Sequence, residues 1–519
     1  MRPESQTARS YLLIDKAVQT VENRLAAIMK TSCGYEKSAI IRRIAQAVSM
    51  QLVNPFLRKS IEGHSRGKID LIQDLPQKLF CGGLEINTET GEVVPSMKLL
   101  LSNMARFVAL WLVVLACFIR SLLGRSRDSG PATLVFGVPD ANLRFEGNSL
   151  RFEDFCQNGP LDVLSKANKC IVQVVLNVTG RNSQKFVYAR FPLMALFSAN
   201  RLGVLESLVF IKNQISLFYI FLFLILRNPV VCLLWRDFAE HAVATAMNNK
   251  HLIEANTITN TNWLQQLLWM SDLQNRHFET YMALYSLNSS TLKFKDDPVA
   301  ATHPGIRHLR VDLIWIWDAF YKEVLTHEGI FCRFQVVGPI LWYLPKQIRV
   351  RQNLDFCRVC IFDVTPVAAQ ALNSRGILGC YYSAETMKSF LADVFAAVVE
   401  VKRELGCEIE IVLKHKRRPT PLSDRSYLNH IKKLCDSNNH LRLVAEDTNL
   451  YTLIAESDLV VAIPYSSPAY LANYLGIPSL FYDPTKDILT TSDIFSPVRL
   501  LSGLENLKNE MVNIMGRKI

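Results

Sequence analysis

Leu459-Val460-Val461-Ala462-Ile463-Pro464-Tyr465-Ser466-Ser467-Pro468-Ala469-Tyr470-Leu471-Ala472-Asn473-Tyr474-Leu475-Gly476-Ile477-Pro478-Ser479-Leu480-Phe481-Tyr482-Asp483 reads as strand, tight turn, short helix, glycine stop and second strand. Leu459 to Ile463 is an unbroken apolar run, as a parallel strand covered on both faces requires. Ser466 or Ser467 can cap a helix whose first position is Pro468, where a missing N–H costs nothing. Gly476 supplies a left-handed exit and Pro478 blocks continuation. A helix start with two hydroxyls and free N–H groups, at the C-terminal end of a parallel strand, suits an anionic phosphate. A nucleotide mono- or diphosphate is expected here, although a plain helix cap explains the two serines as well.

A second element upstream favours the phosphate. Glu408 to Leu413 reads as another strand and runs directly into Lys414-His415-Lys416-Arg417-Arg418. Such a cationic run is ordinarily a solvated face. Placed at the end of a strand equivalent to the first, it can neutralise a phosphate.

The chain has 519 residues, enough for two domains and further segments. It is 49% apolar and 20% charged, which excludes a disordered chain. The mean hydropathy of +0.13 is high for a soluble enzyme and asks for a membrane explanation. A formal charge of +11 fits a polyanionic partner. No zinc finger, RNA-recognition signature or aromatic-basic repeat supports nucleic acid, so membrane surface and nucleotide-linked substrates remain. The twelve cysteines form no framework. Their one close pair, Cys357 and Cys360, lies in a predicted strand where residues three apart face opposite ways, so reduced thiols in a cytoplasmic protein are expected. The N-terminus is polar with no secretory apolar core behind it.

Two apolar runs stand out, Phe107 to Ile119 between Arg106 and Arg120, and Ile215 to Leu226 ending at Arg227. Both fall short of the roughly 20 residues of a spanning helix. A core helix, an interfacial helix and a short spanning helix compete; flanking arginines and edge aromatics favour monotopic attachment.

Residues 1 to about 95 read as largely helical. Ser126-Arg127-Asp128-Ser129-Gly130-Pro131 is a breaker-rich linker. Predicted strands follow at 132–139, 169–176 and 333–337, then at 357–364, 408–413, 441–446, 459–463 and 479–483. Helical segments at 384–405, 423–436, 449–456 and 469–475 separate most of the later ones. This alternation predicts an α/β protein with doubly wound parallel sheets. The expected division is a helical extension over 1–130, an acceptor-side lobe over 131–345 and a nucleotide-binding lobe over 346–519. That is a bi-lobed transferase. Dinucleotide and P-loop fingerprints are absent, as is an Asp-x-Asp metal motif, so metal-independent transfer without a cofactor is expected.

The sequence resembles GT-B-fold bacterial glycosyltransferases of surface-polysaccharide assembly, and more narrowly the O-antigen biosynthesis proteins of spirochaete carbohydrate clusters. The resemblance rests on Thr259-Asn260-Thr261-Asn262-Trp263, Leu284-Tyr285-Ser286-Leu287-Asn288, Val336 to Tyr343, Phe362-Asp363-Val364-Thr365-Pro366 and Pro464 to Ala472. A looser similarity runs to bacterial sialyltransferases and transferases of 3-deoxy-manno-octulosonic acid. Those use CMP-sugars, a His-Pro motif after a strand and a Ser-Ser/Thr motif at a helix start. Ser466-Ser467 matches the second motif. His415 lacks the proline of the first, and the one His-Pro, His303-Pro304, lies elsewhere. The resemblance implies sugar transfer from a nucleotide-sugar, with a CMP-sugar among the candidates, to a lipid-linked or polysaccharide acceptor, on the inner face of the plasma membrane.

Leaving-group stabilisation then falls to Lys414, His415, Lys416, Arg417, Ser466 and Ser467. The general base is expected from the N-terminal lobe, with Asp140 the positional candidate and Glu153 and Asp154 next. Asp363 and Thr365, at a strand end, are candidates to face the cleft and hold ribose or acceptor, or else to cap a turn. Tyr285, Ser286 and Asn288 are assigned to the acceptor side by resemblance. Two alternatives use the same lobes: a CDP-alditol phosphotransferase of teichoic-acid type, and a non-catalytic scaffold of a polysaccharide assembly complex.

Overall fold

A computed structural model describes residues 3–517 apart from 29–36, 66–77, 88–89, 91, 124–128, 140–141, 144, 147–148, 175–184, 261–265, 272–275, 286–294, 296–305, 345–355, 374–380, 417–418, 439, 447 and 490–495. Helices α1 (Pro3–Ile28) and α2 (Lys37–Ser65) open the chain. They are followed by a three-stranded antiparallel sheet of β1 (Lys78–Cys81), β2 (Leu84–Asn87) and β3 (Val93–Pro95). The start is thus largely helical, as expected, and the small sheet is what the sequence reading did not include. Its strands are only three or four residues long, too short for a period-two pattern to stand out. Helix α3 (Met97–Leu123) then leads to the first parallel strand.

Seven strands build the first lobe: β4 (Ala132–Val135), β5 (Cys170–Gln173), β6 (Phe186–Ala189), β7 (Ile253–Thr259), β8 (Glu279–Ala283), β9 (Leu313–Ile316) and β10 (Arg333–Val336). Their spatial order is β10-β9-β8-β7-β4-β5-β6, with every neighbouring pair parallel. The order runs outward from β4 one way and from β7 the other, so the connections reverse between β4 and β7. Helices α4 (Val204–Arg227), α5 (Trp235–Asn249) and α6 (Phe320–His327) belong to this lobe.

The second lobe repeats the plan with β11 (Cys357–Phe362), β12 (Ile409–Lys414), β13 (Leu441–Val444), β14 (Leu459–Ala462), β15 (Ser479–Asp483) and β16 (Arg499–Ser502). All are parallel, in the order β13-β12-β11-β14-β15-β16, and the reversal falls between β11 and β14. Its helices are α7 (Ala384–Leu405), α8 (Arg425–Ser437), α9 (Leu450–Ala455), α10 (Ser467–Tyr474) and α11 (Leu504–Gly516). Both faces of the sheet are covered. Val359, Ile361, Ile411, Leu413, Leu459 and Val461 point into one buried layer with Phe390, Val394 and Met511. Cys360, Phe362, Val412, Val460 and Ala462 point into another that is continuous with the core of the first lobe. The apolar run at 459–463 therefore has the cause read from it: alternate side chains are buried on opposite faces.

The two lobes meet at the C-terminal ends of their sheets. α6 starts just past β9 and α10 just past β14, and Phe320 stacks on Tyr470 with ring centroids 5.8 Å apart. The connector after β10 adds further ties: the Tyr451 hydroxyl donates to the Pro339 carbonyl at 3.3 Å, and Asn449 to the Leu344 carbonyl at 3.3 Å. Gly338 is needed there. Its φ of +79° is left-handed, and a Cβ would stand 2.8 Å from the Tyr474 hydroxyl.

The apolar runs are parts of longer helices. α3 has 27 residues and α4 has 24, which corrects the reading that they fall short of a spanning length.

Candidate functional site

The strand ends beside the second reversal are level. Phe362 pairs with Lys414 on one side and with Ala462 on the other. The next residues along, Asp363, His415 and Ile463, thus emerge side by side at the crevice where a doubly wound sheet takes its ligand.

Asp363 is 1% exposed and accepts three hydrogen bonds. One carboxylate oxygen takes His415 Nδ1 at 2.6 Å and the Tyr427 hydroxyl at 2.7 Å; the other takes the Lys416 backbone N–H at 3.0 Å. A carboxylate can only accept, so Nδ1 carries its proton toward Asp363. His415 Nε2 has no partner among the described residues. It is an acceptor in the neutral ring and a donor in the imidazolium. The expectation that Asp363 faces the cleft to hold ribose or acceptor is corrected, because every bond it makes points inward. It positions the imidazole.

Tyr427 had no sequence signal. It arrives because Asp424 caps α8 by accepting the Tyr427 backbone N–H at 3.1 Å, and the Asp424 backbone N–H donates to the Pro366 carbonyl. The same turn thereby pins the 363–366 loop beneath the ring. Burial first, then the Asp363 charge and hydrogen bond, push the Tyr427 hydroxyl well above its ordinary pKa, so it remains a donor.

Lys414 departs from the expected role. It is buried, and its Nζ donates to the Glu446 carbonyl at 2.7 Å and to that of His415 at 3.4 Å. A side chain on the last residue of a strand in a covered sheet points into a layer, so it ties the ends of β12 and β13 together. Lys416 sits one residue past His415 and is half-buried, with its backbone held by Asp363. Arg417 and Arg418 lie outside the described residues, as does Asp140. Thr365 is buried in the pinned loop.

On the other side of β11, the strand-to-helix turn is tight. Tyr465 adopts φ of +59°, a left-handed conformation that costs a non-glycine residue on the order of 1 kcal/mol or more. Its ring packs on Phe481, and burial first pushes its hydroxyl up to about 12. The Tyr382 hydroxyl holds the Pro464 carbonyl at 3.0 Å. α10 begins at Ser467, with Ser466 as N-cap and Pro468 within the first turn. The Ser466 hydroxyl does not cap. It donates to the Ile463 carbonyl at 2.9 Å and braces the turn at the start of the helix. Ser467 is buried at that start.

In the first lobe the corresponding crevice lies past β4 and β7, where the Thr259 hydroxyl donates to the Gly137 carbonyl at 2.9 Å and Asn260 accepts from the Tyr285 backbone. Glu153 is not there. It accepts the hydroxyl of Tyr188 on edge strand β6 at 2.7 Å, while Asp154 bonds Asn158 on its own helix. Ser286, Asn288, His303 and Pro304 lie outside the described residues. Among the described residues no three His, Cys, Asp or Glu side chains gather as metal ligands.

No curated protein matches the sequence. Among solved structures, the chain is similar to the wall teichoic acid polymerase TagF at 11% identity and a TM-score of 0.40, over 80% of this chain and 89% of that one. It is similar to HepE of Anabaena, solved with UDP and glucose, at 10% identity and a TM-score of 0.33, over 75% and 90% of the two chains. The glycotransferase of kitacinnamycin is similar at 11% identity and a TM-score of 0.34, over 74% and 90%. A family model described as "Polysaccharide biosynthesis PFTS motif protein" matches residues 215–511, more than half of the chain. The chain belongs to the polysaccharide biosynthesis PFTS motif family.

Proposed function

We propose that the chain is a metal-independent glycosyltransferase of GT-B type, moving a sugar from a nucleotide-sugar donor onto a growing surface polysaccharide. The lobe at 346–519 takes the donor, and the lobe at 131–345 takes a lipid-linked or polysaccharide acceptor at the cytoplasmic face of the membrane. The observation that carries this is the Asp363–His415 pair beside the uncapped start of α10, at the reversal of a doubly wound sheet.

Sugar transfer breaks the bond between the anomeric carbon and a phosphate oxygen, and negative charge grows on that phosphate. A His415 Nε2–H and the N–H groups opening α10 donate to it more strongly as it departs, which is where catalytic gain arises. Ser467, Thr365, Lys416 and Arg417 complete the phosphate and ribose contacts in this reading. Lys414 acts through the backbone it ties. Asp140 is the proposed base for the acceptor hydroxyl.

A thermal-shift series with CMP, CDP, UDP and GDP tests the donor site. A ligand bound only by the folded chain raises its stability by mass action, so at least one of the four should raise Tm, and His415→Ala should shrink the rise. Folded protein that none of them stabilises would remove the reading in favour of a non-catalytic scaffold.

A further inference from the structure

Helices α3 and α4 pack as an antiparallel pair. Phe107 meets Phe221 at 4.2 Å, Trp111 meets Phe218 at 5.3 Å and Phe118 meets Phe210 at 4.9 Å, so contacts advance along one helix as they retreat along the other. Each helix turns one apolar stripe inward. Phe107, Leu110, Val114 and Phe118 of α3 are buried, as are Phe210, Leu217, Phe221 and Leu224 of α4.

The outward faces are apolar too. On α3, Leu101, Val108, Leu112, Ile119 and Leu123 are exposed at helical spacing; on α4, Leu208, Ile211, Ile215, Tyr219, Phe223 and Leu226 are. Leu112 is 55% exposed, Tyr219 66% and Leu226 85%. A helix lying on a water-soluble lobe places polar residues on its outer face. Here two adjacent helices, the longer about 40 Å by its residue count, place leucine, isoleucine, valine and aromatic rings there. A continuous apolar face of that extent marks an interaction surface.

Its charges point to the occupant. α3 carries Lys98, Arg106 and Arg120 and no acidic residue, while α4 carries Lys212 and Arg227. Glu206 is the one acid on the pair, and it is satisfied by Lys250 Nζ at 2.9 Å and the Gly203 N–H at 2.7 Å. The Arg227 guanidinium folds over the Phe223 ring at 4.4 Å, a cation beside an apolar body at the end of the helix.

We propose that the α3–α4 pair lies in the plane of an anionic bilayer surface, its outer stripes among the acyl chains and its arginines and lysines at the headgroups. The pair does not span. Its inner stripe is covered along its length by the lobe, through Phe221 on Phe238 of α5 at one end and the Ser121 hydroxyl on the Asn200 carbonyl at the other. Spanning would drag that lobe into hydrocarbon. α5 runs from the C-terminal edge of the sheet back to the start of β7, so Phe238 in its first turn marks the edge where the strands end. The Arg227 end of the pair therefore sits on the side of the sheet that carries the candidate site. This inference is independent of the sugar-transfer reading.

The test is flotation of the purified full chain with vesicles. It should rise with phosphatidylcholine vesicles containing about 30% phosphatidylglycerol, rise less with phosphatidylcholine alone, and be released by alkaline carbonate. The combined variant Leu112→Glu, Ile119→Glu, Ile215→Glu, Tyr219→Glu should lose at least about tenfold of the bound fraction, with an undiminished Tm in solution. A single Leu112→Cys carrying a polarity-sensitive dye should blue-shift on adding the anionic vesicles, a readout that spares the fold. Wild-type protein that stays below both vesicle types, or a dye that does not respond, would overturn the proposal. Carbonate-resistant binding would replace it with spanning helices. A dimer in solution that the four glutamates dissociate would make a second copy of the chain the occupant.

Discussion

Asp363→Asn isolates the part of the candidate site that most depends on geometry. The substitution keeps the shape of a 1%-exposed side chain and replaces two acceptor oxygens by one acceptor and one donor. Three donors meet that group: His415 Nδ1, the Tyr427 hydroxyl and the Lys416 N–H. With the amide oxygen toward His415 and Tyr427, the amide nitrogen opposes the Lys416 N–H and leaves it unsatisfied. With the amide reversed, His415 must put its proton on Nε2 and accept at Nδ1. Leaving one buried group unmatched costs about 1–3 kcal/mol, and losing charge-assisted bonds adds a similar amount. The expected loss of stability is about 2–4 kcal/mol, measured by urea unfolding. If His415 donates to the departing phosphate, turnover falls by about 10²–10⁴, because each tenfold corresponds to about 1.4 kcal/mol of barrier. Nucleotide affinity by calorimetry should change far less than turnover. The decisive comparison is a cycle with His415→Ala. Asp363 acts through the imidazole, so the double variant should be about as slow as the slower single one. Independent, multiplying effects, or an Asp363→Asn enzyme within about threefold of wild type, would refute the reasoning.

Tyr427→Phe removes one of the three bonds and leaves Asp363 with His415 and Lys416. We expect about 1–2 kcal/mol of stability lost and a smaller fall in turnover than for Asp363→Asn, read from unfolding and rate on the same preparation. Gly338→Ala forces a side chain onto a φ of +79° with its Cβ 2.8 Å from the Tyr474 hydroxyl. It should cost about 1–2 kcal/mol from the backbone. A second substitution, Tyr474→Ala, should recover only the steric share, because that exposed ring can swing aside while the backbone cannot. Burial raises Glu328 from 4.5 to about 7, so the folded state holds its proton where the unfolded chain has released it. Stability attributable to this group is highest below about pH 4.5 and falls as pH rises toward about 7. Glu328→Gln should therefore stabilise the protein at pH 8, by at most about 3 kcal/mol for a shift of that size, and leave it unchanged at about pH 4. Urea midpoints at the two pH values check the sign.

The sequence by itself determined the alternation of the second lobe. Its strands at 357, 409, 441, 459 and 479 and its helix at 384–405 were legible because a parallel strand buried on both faces is an unbroken apolar run, while the helices between carry caps and stops such as Ser383, Asp424 and Gly406. In the first lobe, β6, β7, β8 and β9 were missed, as was β16 in the second. Glu254, Asn256, Thr257 and Thr259 interrupt β7 with polar groups. Asn256 and Thr259 are buried there with partners that only the fold supplies, the Thr280 hydroxyl and the Gly137 carbonyl. Ser466, Ser467 and His415 were singled out from sequence as candidates, since a turn-and-cap run and a charge run at strand ends are local signals.

Tertiary structure alone decided what those residues do. Lys414 and His415 are neighbours in a basic run, yet successive strand residues point to opposite sides, so one is buried as a backbone tie while the other offers a ring nitrogen. Asp363 and Tyr427 lie 52 and 64 residues apart from their partners in the chain, His415 and Asp363 respectively, and no spacing rule connects them. The outer stripes of α3 and α4 follow the same logic. Hydropathy marks both helices as apolar, but only packing shows that one apolar side is already covered and the other is not. Local order is written in the periodicity of the chain; which side of an element meets a partner is fixed by residues far away in sequence.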